Sequence, residues 1–164
     1  MRRRPRGVAE GRIDERWAAE RAEDARLVRN EAFRDHWRAD QMTPAEWAHF
    51  LSYNAFRSAF SYLAYDGSEP IGVLIGREYD AYTELTGILD LYIAVVATRR
   101  SARKRGIASA LLARALADAR SAGFTAGSLT VNAASPTAGF GLFERAGFAV
   151  KATSVMQVKD LDVR

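Results

Sequence analysis

The sequence predicts a mixed α/β domain, with a central mixed sheet flanked by helices. Three observations carry this reading. Segments with apolar residues every three or four positions alternate with short β-branched and aromatic runs. A strand–helix–strand stretch from 88 to 132 specifies a parallel unit of right-handed connection. A separate hairpin adds antiparallel strands. The 164 residues suit one domain, and 48% apolar with 27% charged residues is the balance of a globular chain.

Residues 1–10 read as a disordered basic tail and 11–164 as a single domain. Gly11 to Trp17 has the outline of a first strand, although its charges dilute the pattern. From Glu23 to Trp37, the residues Ala25, Leu27, Val28, Ala32, Phe33 and Trp37 follow helical spacing. In Thr43-Pro44-Ala45-Glu46 the threonine fits the N-cap, the proline the first helical position and the glutamate a capping box. A helix from Pro44 to about Tyr53 follows. Phe60 to Tyr65 has strand composition, Asp66-Gly67 is a hairpin turn signal, and Ile71 to Ile75 answers as the partner strand. Tyr79 to Thr86 is read as a loop. Ile88 to Ala97 is mostly apolar, as a central strand should be. Gly106 to Ser121 is a helix with Ile107, Leu111, Leu112, Ala115 and Leu116 on one face, and Gly123 stops it. Ser128 to Asn132 is a short strand, Pro136 to Ala146 a helix capped by Gly147, and Phe148 to Val158 a last strand.

Composition excludes several chemistries. With no cysteine there is no disulfide, thiolate metal site or cysteine nucleophile. His36 and His49 are 13 positions apart with no other ligand at metal spacing, so no metal is expected. No G-x-S-x-G motif supports a serine triad. The longest apolar run, Leu91 to Ala97, is 7 residues, against about 20 for a bilayer span. The basic N-terminus has no apolar stretch behind it, so a cytoplasmic protein without membrane contact is expected. Arg2, Arg3, Arg4 and Arg6 supply the whole net charge of +4; without residues 1–6, 20 basic face 20 acidic residues. A domain that binds nucleic acid usually carries excess base on its body, so nucleic acid is not an expected partner. Arginine outnumbers lysine 21 to 3, which we attribute to genomic base composition.

The informative stretch runs from Val96 to Leu112. An apolar strand enters a basic loop carrying Arg99, Arg100, Arg103, Lys104 and Arg105, and the loop passes directly into a helix. A helix start offers unpaired N–H groups and a positive dipole end. Gly106, Ala108 and Ser109 let an anion approach that backbone. Bases there oppose the dipole, so the pattern is either a solvated charge run or an anion site of the kind that cradles a pyrophosphate. Neither a Walker A loop nor a Rossmann fingerprint is present.

Arg103-Lys104-Arg105-Gly106-Ile107-Ala108 matches [RQ]-x-x-G-x-[GA], the motif of the GNAT acetyltransferase superfamily. Leu129-Thr130-Val131-Asn132, Ser135-Pro136-Thr137-Ala138 and Leu142-Phe143-Glu144-Arg145-Ala146-Gly147-Phe148 resemble its segment N-P-x-x-A-x-x-L-Y-E-x-x-G-F, with a one-residue difference in spacing near the alanine. The resemblance covers roughly residues 11–160. It implies the GNAT acyl-CoA N-acyltransferase fold with a splayed strand pair. Within the superfamily, Asn30 to Trp37 and Met42 to Trp47 are similar to the C-terminal domain of mycothiol synthase and its actinobacterial relatives.

That resemblance implies acetyl-CoA as co-substrate and a small-molecule primary amine as acceptor. The backbone from Lys104 to Ser109, including Arg105, Gly106, Ile107 and Ala108, with Arg103 beside it, would hold the pyrophosphate. Val95 and Val96 would hydrogen-bond the pantetheine arm through their backbone, with Asn132, Ser135 and Phe143 along it. Asp90 stands where mycothiol synthase-like enzymes carry a glutamate base. Asp90 is thus a general base, a solvated strand end or an arginine partner. Tyr92 shares its face of the strand and would orient the amine, relay a proton or pack as core. Where the family has tyrosine as the acid for the leaving thiolate, this chain has Phe143. That departure keeps a weakly active or non-catalytic CoA-binding module open as the alternative. Trp37, Trp47, Tyr53, Tyr79 and Tyr82 either line the acceptor site or pack as core. A monomer or homodimer is expected.

Overall fold

The computed structural model describes residues 15–36, 40–132 and 139–155, with 157 and 159. The expected disordered tail at 1–10, most of the expected first strand, Trp37, Ser135 and Pro136 to Ala138 lie outside the described residues. In chain order the elements are β1 (Glu15–Arg16), α1 (Ala22–Ala32), α2 (Pro44–Leu51), β2 (Tyr62–Asp66), β3 (Glu69–Arg77), α3 (Asp80–Thr86), β4 (Asp90–Thr98), α4 (Ile107–Ser121), β5 (Ala126–Leu129) and α5 (Phe140–Arg145). The sheet runs β1-β2-β3-β4-β5, antiparallel except for the parallel pair β4·β5. The mixed sheet, its hairpin and its parallel unit follow the expectation. Among the described residues no helix is long and apolar enough to cross a membrane.

Side-chain alternation gives the sheet two cores. Tyr62, Ala64, Leu74, Leu91 and Ile93 face α4, which presents Ile107, Leu111, Leu112, Ala115 and Ala119, positions of one helical stripe. Leu63, Tyr65, Val73, Ile75 and Val95 face Ala25, Val28 and Ala32 of α1 and Trp47 of α2. Trp47 is 2% exposed and donates its indole N–H to Ala22 O at 2.7 Å, so it is core. The capping box of α2 forms as read: Thr43 Oγ1 accepts from Glu46 N at 3.2 Å, and Glu46 Oε2 accepts from Thr43 N at 2.7 Å.

Several elements differ from the expectation. α1 stops at Ala32, short of Trp37, because tertiary bonds claim its end. The Arg103 guanidinium donates to Ala32 O at 3.0 Å, and buried Asn30 clasps the backbone of Met42 with both ends of its amide, at 2.8 and 3.0 Å. The stretch from Tyr79 to Thr86 is mostly helix, not loop; α3 is polar and exposed, so no apolar periodicity marked it. β5 begins at Ala126 and leaves Val131 and Asn132 beyond its end. No described residue of the expected last strand is in a strand. Val150 is 76% and Val155 81% exposed, so strand composition without a buried face produces no ladder there. Among the described residues of this segment, Phe148 alone packs on the α4-side core.

Gly76 in β3 marks a close approach. A Cβ there would lie 2.5 Å from Phe60 O and 3.1 Å from Leu91 Cδ1. Gly76 is also pinned at both ends, donating to Ser61 Oγ and accepting from Arg57 N, each at 3.0 Å. Gly76→Ala is expected to cost about 2–3 kcal/mol, a fall of roughly 5–10 °C in a thermal unfolding scan. A Tm unchanged from wild type would show that the Phe60 backbone yields freely.

Candidate active site

The site is built where β4 and β5 part. Their pairing runs from Asp90↔Ala126 to Ile93↔Leu129 and ends there, while β4 continues to Thr98 against β3. From Ala94 to Thr98 the other edge of β4 therefore has no strand partner among the described residues. A cleft of about 330 Å³ opens along it, with Val95 and Val96 on one wall and Thr130, Asn132 and Phe143 on the other. The register to β3 shifts at this point, Ile75 pairing with Val95 and Gly76 with Ile93. Ala94 is an extra residue, a bulge. It turns both Ala94 and Val95 toward the α1 side, while Val96 packs toward α4. Ala32, Phe33 and His36, which the sequence reading had not assigned to the site, complete the cleft from the end of α1. Burial, then the guanidinium groups of Arg103 and Arg29, lower the His36 imidazole from its ordinary value.

The cleft leads to the start of α4. Lys104 at φ 61° and Gly106 at φ 80° are both left-handed, a combination that turns successive N–H groups to one side. Gly106 is the N-cap and supplies no side-chain cap, and no acid lies in the first turn. The N–H groups of Ile107, Ala108 and Ser109 have no partner within the helix. The side chain of Ile107 is buried in the core, so only its backbone is offered.

The five bases of the loop are not equivalent. Arg99 pairs with Glu31 at 3.3 Å and Glu69 at 3.6 Å, Arg100 with Asp35, and Arg105 with Asp66 at 3.0 Å. Arg103 lines the cleft and ties the end of α1 to β4, donating to Ala32 O and, at 3.4 Å, to Thr98 O. Lys104 is exposed and has no ion-pair partner among the described residues. The charge that the sequence places around the anion is thus partly committed to carboxylates elsewhere.

At the other end, where the strands are still joined, stand the two candidate catalytic residues. Asp90 accepts a hydrogen bond from Ser128 Oγ at 2.5 Å and pairs with no arginine among the described residues. Tyr92 Oη lies 3.4 Å from Thr130 Oγ1 and its ring packs edge-on against Tyr79, centroids 5.7 Å apart. Neither Asp90 nor Tyr92 lines the cleft itself; they lie at its closed end, on the strand that forms its wall. Ser128 and Thr130 were missed as partners, since only the register of β5 brings them across. Phe143 reaches the cleft and packs edge-on against Phe148 at 6.1 Å. Tyr53, Tyr79 and Tyr82 are exposed, as a lining requires and a core does not.

Solved structures share this fold. The aminoglycoside N-acetyltransferase AAC(6')-Iy in complex with CoA superposes with a TM-score of 0.67 at 16% identity, over 96% of this chain and 99% of that one. Ribosomal-protein-alanine N-acetyltransferase from Brucella melitensis biovar Abortus 2308 gives 0.67 at 17% identity, over 85% and 94%. A GCN5-related N-acetyltransferase from Sphaerobacter thermophilus gives 0.68 at 24%, over 84% of this chain and 41% of that one. No curated protein matches the sequence. The family profile, by contrast, matches from the first residue of α1 to Phe148, residues 22–148, and so takes in the parted strands and the uncapped helix start alike: the chain belongs to the acetyltransferase (GNAT) family.

Proposed function

We propose that the chain is a cytoplasmic, acetyl-CoA-dependent N-acetyltransferase that moves an acetyl group to a primary amine of a small molecule by direct transfer. One observation carries this reading: the cleft along the parted edge of β4 leads to the uncapped, acid-free start of α4. An extended amide-bearing chain can pair with such an edge as an added strand, and a pyrophosphate suits such a helix start. The family supplies acetyl-CoA as the donor. Backbone N–H groups from Lys104 to Ser109 then hold the phosphates, while Val95, Val96, Asn132 and Phe143 flank the arm.

Asp90 takes the proton of the incoming ammonium, whose pKa near 10 keeps it charged at pH 7. Ser128 holds the carboxylate by its hydroxyl, and Tyr92 orients the amine. The freed nitrogen forms its bond to the acetyl carbonyl as the carbon–sulfur bond breaks and the thiolate departs, and the nitrogen's second proton passes to that thiolate through solvent, leaving a neutral amide and the CoA thiol. A thiolate of pKa about 8.5 leaves without obligatory protonation, which makes Phe143 tolerable. The finer likeness to mycothiol synthase makes a cysteinyl amine one candidate acceptor.

Phe143 also favours a second reading, a weakly active or non-catalytic CoA-binding module. Titration calorimetry with acetyl-CoA, followed by an amine panel with thiol detection, separates the two. Micromolar binding with thiol release that depends on an amine supports the enzyme; binding without release supports the module; no binding overturns both. Phe143→Tyr is expected to raise kcat about 10-fold, at or below the lower end of the range for positioned acid catalysis. An unchanged or lower kcat would mean that this position is not the missing acid.

A further inference from the structure

We infer that Arg77 recognises a carboxylate on the acceptor, so that the substrate class is an amine that also bears an acid group, an amino acid or its like. This rests on the N-acetyltransferase reading above. Arg77 ends β3 as the register partner of Tyr92. Directly opposed residues of an antiparallel pair project to one face, and Asp90 shares it from two positions away. Arg77, Tyr92 and Asp90 therefore emerge on one face of the sheet.

Its surroundings are unusual. It lies 4.1 Å from the centroid of the Phe50 ring and 5.3 Å from that of Tyr53. Nη2 donates to Phe50 O at 2.9 Å and Nη1 reaches Tyr79 Oη at 3.4 Å. Nε is buried with no hydrogen-bond partner. No carboxylate pairs with Arg77 among the described residues. The two nearest in sequence, Glu78 and Asp80, are both taken by Arg57, at 2.8 and 3.0 Å. A half-buried charge normally has a counter-ion, and aromatic faces offset only part of its desolvation. Capping the last turn of α2 explains Nη2 but leaves Nε and the charge itself unanswered. A planar fork with unused donors is the complement of a carboxylate. Tyr53 and Tyr79, which the guanidinium touches, line with His49 a pocket of about 570 Å³ that has room for the rest of such a molecule.

The test reads binding, not turnover, so that failure of acetyl transfer falls on the proposed function and failure of selectivity falls on Arg77. CoA-saturated protein is titrated by NMR with L-alanine, L-tyrosine and L-glutamine, each against its own carboxamide. At least one acid should bind about 10-fold more tightly than its amide, as a charge-assisted pair allows. Arg77→Gln should bring that ratio to about one, and Tyr79→Phe should lower it a few-fold by releasing Nη1. Equal affinity for both members of every pair, undetectable binding of both included, overturns the assignment. So does a preference that survives Arg77→Gln. Should Arg77→Gln fail to fold, the ratio in Tyr79→Phe decides, because that exposed side chain is dispensable to the core.

Discussion

Asp90→Asn is expected to lower kcat by about 100-fold or more, the range of a lost general base, while acetyl-CoA affinity stays within about twofold of wild type. The second half of this expectation follows from position. Asp90 lies at the joined end of β4·β5, outside the cleft that would hold the cofactor. The substitution keeps the shape of the side chain and its acceptor oxygen, so Ser128 Oγ still has a partner and the strand pair should hold. What is lost is the capacity to take a proton. The deficit should therefore shrink as pH rises toward the acceptor amine's pKa near 10, where the amine arrives already neutral. A rate ratio that closes with pH identifies Asp90 as the base. A constant ratio across pH identifies a positioning role, and a kcat within threefold of wild type removes Asp90 from the chemistry.

How much of this was legible in the sequence depends on whether the determinants are local. The capping box of Thr43 and Glu46 is complete within four residues, and it was read correctly. So was the stripe of α4, whose period is written in Ile107, Leu111, Leu112 and Ala115. The features that failed are set by distant partners. Asn30 and Arg103 end α1 early through bonds to Met42 and Ala32. β5 falls on Ala126 and Gly127, poor strand formers, because β4 pairs with them and Gly127 lies close against Leu116, 3.0 Å from where a Cβ would stand. The run Leu91 to Ala97 is apolar at every position, so nothing in it reveals that Ala94 is a bulge.

The site divides in the same way. The glycine motif and its helix were visible as contiguous residues. The division of labour among the arginines was not, since Arg99, Arg100 and Arg105 find their carboxylates in Glu31, Asp35, Asp66 and Glu69 across the fold. Arg77 carried no motif at all, and only the β3·β4 register sets it opposite Tyr92.

Gly106 provides the sharpest test of the helix start as the phosphate site, because two substitutions there separate backbone strain from occupation of the site. Its φ of 80° is left-handed, and a Cβ would meet nothing within 4 Å. Gly106→Ala therefore carries the left-handed penalty of about 1–2 kcal/mol but no collision, and acetyl-CoA binding should fall only a few-fold. Gly106→Glu carries the same strain and adds a carboxylate beside the N–H groups of Ile107, Ala108 and Ser109. That carboxylate satisfies the helix start from within the chain and repels a phosphate. Calorimetry should show acetyl-CoA binding weakened about 100-fold or more in this variant, a loss of roughly 2.7 kcal/mol or greater, with thermal stability close to that of Gly106→Ala. Arg103→Ala is the less clean probe, since Arg103 also ties α1 to β4. If Gly106→Glu binds as Gly106→Ala does, the phosphates lie elsewhere and the exposed charge of Lys104 has another purpose.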